Sequence, residues 1–198
     1  VLHCPYDFNQ TKIIVREMTD ALVLDLVEKK LVTDQLVLDV GYDIENLADP
    51  ERRKKYRGEV KADRYGRVVP KNEHGTANLK KKTSSTSQIM EAVLELYDRI
   101  VDENLLIRRV YVTANHVVDE QTISEETEFT QMDLFTDYHA VAEEQKAGQE
   151  KREKERRLQE AMLSVKKKYG KNAMLKGTNL QEGATMQERN NQIGGHHA

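Results

Sequence analysis

An α+β sandwich, with four strands in one sheet and two helices on one face, is the fold class that apolar periodicity predicts for residues 1–118. Three observations carry this reading. Helical spacing recurs twice, in Ile14, Met18, Leu22 and Leu26 and again in Ile89, Val93, Leu96 and Ile100. Two-residue alternation marks Leu36, Leu38, Val40 and Tyr42, and later Val110, Val112 and Ala114. The order strand–helix–strand occurs twice, with a long charged stretch between the copies.

Residues 1–8 read as a short strand broken by Pro5, which has no N–H to offer a sheet. Asn9 or Thr11 is the expected cap of a helix running to about residue 30. Residues 35–42 are a strand with its apolar side chains on one face. Residues 44–73 are charged and rich in turn formers, with a hairpin tip expected over 63–67. Residues 75–83 form another strand, in which Ala77 and Leu79 alternate with Thr76, Asn78 and Lys80. Ser85 or Thr86 then caps a helix to about residue 103. Residues 106–116 give a strong strand, alternating Val110, Val112 and Ala114 with Arg109, Tyr111 and Thr113. Two such halves make a split βαβ, ferredoxin-like sandwich. Its helices cover one side of the sheet, and the polar alternates point to the open side. Beyond it come an acidic linker over 119–139, expected to be a flexible tether, a charged helix over 140–170 and a tail over 171–198. Residues 186–193 are expected to add a short helix. The helix stripe Leu158, Met162, Val165 and Tyr169 has three uses: docking on its own domain, self-association, or binding another protein.

Of the 198 residues, 38% are hydrophobic and 33% charged, too polar for one globule, so part of the chain is expected outside the core. The net charge of −3 hides local blocks. Residues 51–82 carry twelve Lys/Arg against four acids, and residues 119–150 carry ten acids against one lysine. This asymmetry points to a basic face for an acidic partner and an acidic tether. Cys4 is the one cysteine, which excludes an internal disulfide and suits a reducing, cytoplasmic setting. No apolar run has the length of a membrane span, and no membrane partner is expected. The chain opens on Val1-Leu2, which already read as the inside of a strand, and is expected to be a piece of a longer protein.

Lys80, Lys81 and Lys82 close one strand, and Arg108 and Arg109 open another. Alternation assigns Lys80, Lys82 and Arg109 to the open face together with Asn78, Tyr111 and Thr113. Thr83, Ser84 and Ser85 lead into a helix start, where free backbone N–H groups favour anions. Cations, hydroxyls and amides on one surface suit a phosphate backbone and do not read bases. The two cationic strands are expected to lie side by side. The loop cations Arg52, Arg53, Lys54, Lys55 and Arg57 are interleaved with acids and read as solvated surface. His3 and Cys4 are neighbours, and His74, His116, His139, His196 and His197 lack ligand spacing. With no glycine-rich phosphate loop either, no catalytic residue, metal or cofactor is expected in this chain.

Gln131-Met132-Asp133-Leu134-Phe135 sets two large apolar side chains in acidic surroundings. Burying each on a partner is worth roughly 1.5–3 kcal/mol, enough for reversible docking. The order Gln-x-Asp-Leu-Phe resembles the peptide by which bacterial DNA polymerases and repair proteins dock on the sliding clamp. Three further segments, Val1-Leu2, Val15-Arg16-Glu17-Met18 and Ile107-Arg108-Arg109-Val110-Tyr111-Val112, resemble the little-finger domain of Y-family DNA polymerases, the UmuC and DinB lesion-bypass enzymes of the ImpB/MucB/SamB group. The tail segments 167–173 and 189–196 look like the C-terminus of UmuC-like polymerases of Gram-positive bacteria.

The resemblance implies an error-prone translesion polymerase acting in SOS damage tolerance. Its little finger binds the primer-template backbone through the open sheet face. The family's phosphate contacts would fall on Arg108 and Arg109, with Lys80 to Lys82 on the neighbouring strand. The family's chemistry uses palm carboxylates that hold magnesium, expected to precede Val1, so no acid here inherits that role and this piece alone is expected to be inactive. The insertion over 44–73 departs from shorter family members. The alternative is a non-catalytic adaptor that binds protein or RNA through a ferredoxin-like domain. RNA-recognition domains of that architecture present aromatic pairs on central strands. Here alternation places Tyr111 alone on the open face, which disfavours RNA stacking.

Overall fold

Asp7 and Gln10 start the first helix. The Asp7 carboxylate accepts from the Gln10 N–H at 2.8 Å, and Gln10 Oε1 accepts from the Asp7 N–H at 3.2 Å. This reciprocal cap satisfies two end donors at once, which is why α1 (Phe8–Glu28) begins ahead of the expected caps at Asn9 and Thr11. Lys30, with φ 55°, turns the chain out of α1 and into the first strand. The computed structural model describes residues 1–63, 65–123, 138–193 and 196–197.

The central strand is β1 (Leu31–Tyr42). A charged excursion follows, made of α2 (Glu45–Ala48), α3 (Pro50–Lys55) and the hairpin β2 (Val60–Ala62) and β3 (Val68–Pro70). The chain returns in β4 (Glu73–Thr83), α4 (Thr86–Ile100) and β5 (Ile107–Asn115). β1 pairs antiparallel with β4 on one side and β5 on the other. The short β6 (Val118–Asp119) pairs with the start of β1. Residues 1–6 run along the outer edge of β5. There Leu2 N donates to Arg108 O at 2.9 Å, and Tyr6 and Ile107 exchange bonds of 2.9 and 2.8 Å. The strand expected over 1–8 is thus an edge segment pinned at two points, with Pro5 interrupting the ladder between them. The result is a split βαβ sandwich with α1 and α4 on one face of the sheet.

Leu36, Leu38 and Val40 are fully buried and meet Val15, Val23, Ile89, Val93, Leu96 and Tyr97. The Tyr97 hydroxyl donates to Phe8 O at 2.8 Å and its ring packs on Phe8, which ties the two helices together. Gly75 lets α4 approach the sheet closely: a Cβ there would lie 2.8 Å from Leu96 Cδ1.

The trailing helix α5 (Tyr138–Tyr169) packs on α1, with Met162 buried and Leu163 against the core. Of the expected stripe, Leu158 and Tyr169 are exposed, because Gln159 takes the inner position and bonds Ser84 O and Thr86 Oγ1. The tail then crosses α1 through α6 (Met186–Asn190) to the short pair β7 (Gln192–Ile193) and β8 (His196–His197). Its anchor is Glu17, 1% exposed in the middle of α1. That carboxylate accepts from Asn179 Nδ2 and Thr185 N, both at 3.0 Å, and lies 3.9 Å from Arg189 Nη2. Lys176 adds a 2.6 Å pair to Asp20 one turn further along α1.

Removing Glu17 strands buried donors and a half-buried guanidinium. Glu17→Ala is expected to cost about 3 kcal/mol in urea unfolding and to speed amide exchange over residues 176–190. A loss below about 0.5 kcal/mol, the level of an ordinary surface change, would show that the tail is not held by this carboxylate.

Candidate nucleic-acid interface

The register of β1 determines which side chains share the open face. Gln35 lies between Asn78 and Asn115, Val37 between Thr76 and Thr113, and Asp39 between His74 and Tyr111. These positions alternate with the buried Leu36, Leu38 and Val40, so they face away from the helices. An amide row crosses the sheet: Gln35 Nε2 donates to Asn78 Oδ1 at 2.9 Å, and Asn115 Nδ2 donates to Gln35 Oε1 at 3.1 Å. His74 and Asp39 pair at 2.6 Å, and Tyr111 is half-exposed. No Phe, Trp or second Tyr joins Tyr111 among these facing residues. α5 and the tail pack on α1, on the helical side, and leave this face uncovered among the described residues.

At one end of the sheet, a register shift sets Gly41 opposite Arg109 and Tyr42 opposite Ile107. Arg108 is the extra residue of this bulge. Ile107 is buried, and both arginines are half-exposed. Arg108 Nε lies 3.8 Å from the Asp43 carboxylate, and Arg109 enters no ion pair among the described residues. Asn46 fixes the start of β5 behind them. Its Oδ1 accepts from Leu106 N at 2.8 Å, and its Nδ2 donates to Leu106 O and Asp43 O at 2.8 and 2.9 Å. Sequence reasoning missed this positioning residue. Its one signal is an Asp and an Asn flanking a tight turn directly after a strand. The arginines line a cleft of about 530 Å³ with Gly41, Asp43, Lys61 and Arg67.

The expectation of neighbouring cationic strands is corrected. β1 separates β4 from β5. Both outer strands run antiparallel to β1 and hence parallel to each other. The lysines close β4 and the arginines open β5, which puts them at opposite ends. From Thr33, opposite Thr83, to Gly41, opposite Arg109, the separation is about 27 Å along the sheet and about 10 Å across it. Alternation also fails near the lysines. The six residues from Asn78 to Thr83 face only three of β1, Thr33 to Gln35, so facing cannot be counted from Asn78 to Lys82. Lys80 is exposed, while Lys82 Nζ lies 3.1 Å from Asp34 Oδ2 and 3.2 Å from His116 O. The bond from Lys82, with a second from His116, holds the Asp34 carboxyl below its ordinary value.

The helix start after the lysines is already filled. Glu155 of α5 accepts from Ser85 Oγ and Ser87 N, both at 2.7 Å. Ser84 is buried, and Thr83 Oγ1 accepts from Ser85 N at 3.0 Å. The anion held by Ser85 and the α4 N-terminus is therefore the chain's own carboxylate, delivered from about seventy residues away. The structure thus brings together Asn78, Arg109 and Tyr111 on one face with Arg108 at its edge, and sets Lys80 to Ser85 apart from them.

A family model described as the impB/mucB/samB family C-terminal domain matches residues 4–134. The chain belongs to this family. The impB/mucB/samB match spans the whole sandwich, and α5 and the tail lie beyond it. This domain fits the C-terminal part of Y-family translesion polymerases. No curated protein and no solved structure matches the chain significantly. Among the described residues no group of three or more His, Cys, Asp or Glu could hold a metal ion, and no helix is long and apolar enough to cross a membrane. The peptide Gln131 to Phe135 lies outside the described residues.

Asp34 offers a check on the lysine end. Its folded pKa is depressed, so its contribution to stability is present above the ordinary carboxyl value of 3.8 and is lost as pH falls through the lower folded value. In a carboxyl-carbon NMR titration, Asp34 is expected to titrate below 3.8 and to move upward in Lys82→Ala. An identical midpoint in both proteins would remove the pairing.

Proposed function

We propose that this chain supplies the DNA grip and the clamp attachment of an error-prone Y-family translesion polymerase that acts in damage tolerance. The observation that carries the reading is the uncovered polar sheet face, with Arg108 and Arg109 at one end and Lys80 to Lys82 at the other. The amides and hydroxyls between them can hydrogen-bond phosphate and sugar without reading sequence. The lysines, which lie between Asn78 and Thr83, stand about 20–27 Å from Arg109 along the sheet, the rise of about six to eight base pairs at 3.4 Å each. The two cationic ends therefore suit two points on one duplex rather than a single clasp. The membership of the impB/mucB/samB family supports a role beside a polymerase active site.

Arg109 and Arg108 act as point contacts to phosphates. Arg108→Ala combined with Arg109→Ala is expected to weaken primer-template binding on every sequence tested. By fluorescence anisotropy across a salt series, the slope of log affinity against log salt should fall by about two. Affinity and slope equal to the unaltered chain would remove the DNA face.

Clamp attachment rests on Gln131, Met132, Asp133, Leu134 and Phe135. Leu134 and Phe135 supply the buried anchors, and the acidic surroundings keep the peptide solvated when it is free. A peptide covering these residues is expected to bind the sliding clamp near micromolar affinity, about −8 kcal/mol, in titration calorimetry. Leu134→Ala with Phe135→Ala should abolish the heat. An unaltered peptide that gives no heat would end the clamp assignment.

A further inference from the structure

The β2–β3 hairpin stands beside the arginine pair and is built unlike a solvated loop. Asp63 organises its tip. The Asp63 carboxylate accepts from Tyr65 N at 2.8 Å, Arg67 N at 2.9 Å and Arg67 Nε at 2.8 Å. Asp63 N donates to Arg67 O at 2.8 Å, and Gly66 N donates to Asp63 O at 3.0 Å. Gly66 takes φ +75° with open space around it, as this turn requires. The network holds the Arg67 guanidinium 5.1 Å from the centre of the Tyr65 ring. Tyr65 is 73% exposed, so its ring carries a cation on one side and has solvent on the rest. Packing on the domain involves Val69 and Pro70 at the base of the hairpin, which are buried, and leaves Val60, Val68 and the tip exposed, so it does not explain the order of the tip.

Lys61 and Arg67 line the same cleft as Arg108 and Arg109. Lys61 and Arg109 enter no ion pair among the described residues. Two cations outside any ion pair therefore line the cleft beside the hairpin, with Asp43, Glu45 and Asp63 as its acids, and Tyr65 stands exposed at the hairpin tip. In a duplex the base faces are covered by their neighbours, whereas an unpaired base offers a free π-face to such a ring. We propose that the hairpin is a second nucleic-acid contact, which takes an unpaired DNA base on Tyr65 and the adjoining phosphate on Lys61 and Arg109. The contact rests on the DNA-binding reading above and adds to it a preference for single-stranded template next to the duplex.

The test compares two labelled DNAs bound to the full chain by fluorescence anisotropy. One is a blunt duplex, and the other is the same duplex with a single-stranded template overhang. The unaltered chain should bind the overhang DNA more tightly. Tyr65→Ala should lose about tenfold on the overhang DNA, the scale of one base–aromatic stack, and Tyr65→Trp should retain the tighter binding. A fluorescent adenine analogue in the overhang should change emission with the unaltered chain and not with Tyr65→Ala, a signature that loss of folding alone would not give. A chain that binds both DNAs equally, or a Tyr65→Ala loss equal on both, overturns this inference and leaves the duplex grip standing. A chain that binds neither DNA overturns both.

Discussion

Burial of Leu36, Leu38 and Val40 against the two helices fixes the register of β1, and with it the identity of the whole opposite face. Each of these side chains contributes roughly 1.5–3 kcal/mol by leaving water. A slip of one residue would turn all three outward together. The register therefore has a steep cost of error, and Gln35, Val37 and Asp39 are committed to the open side. β4 and β5 pair with this one strand, so their polar residues line up across it. The hydrogen-bonded row Asn78–Gln35–Asn115 is a direct product of that alignment.

The same topology sets the electrostatics. The cations are divided between the two ends of the sheet, and part of each group has an acid nearby. Arg108 has Asp43, and Lys82 has Asp34. The Lys82–Asp34 pair is partly exposed on both sides and worth little, so a phosphate can compete for it at small cost. Asp43 is buried and also accepts from Glu45 N, and Arg108 stands 3.8 Å from it as a loose partner. Arg109 and Lys80 have no such partner among the described residues and are the readier contacts. Glu155 at the start of α4 is different. It satisfies a hydroxyl and a backbone donor at once, and it fastens α5 to the domain. The serine cluster is therefore part of how the trailing helix is attached.

The two core helices, the inward face of β1 and the strand that became β5 were legible in the sequence, because each repeats an apolar period over several turns or pleats. The hairpin at 63–67 was legible from Asp, Gly and their spacing. What escaped depends on residues far apart in the chain. Alternation within β4 and β5 cannot reveal that β1 runs between them, or that their charged ends point opposite ways. Glu17 reads as a solvated helix charge until the tail brings Asn179, Thr185 and Arg189 to it. Ser85 reads as an open anion site until Glu155 arrives. Leu158 and Tyr169 follow helical spacing with Met162, yet the inner position goes to Gln159, whose amide finds two acceptors at the start of α4.

An amide chemical-shift titration of the isotope-labelled chain with primer-template DNA tests the DNA face most directly. Perturbations should concentrate at Thr76, Asn78, Arg109, Tyr111 and Thr113, with the outer positions Glu91 and Glu95 of α4 silent. Perturbations concentrated along α4 and α1, with the open face of the sheet unmoved, would contradict it.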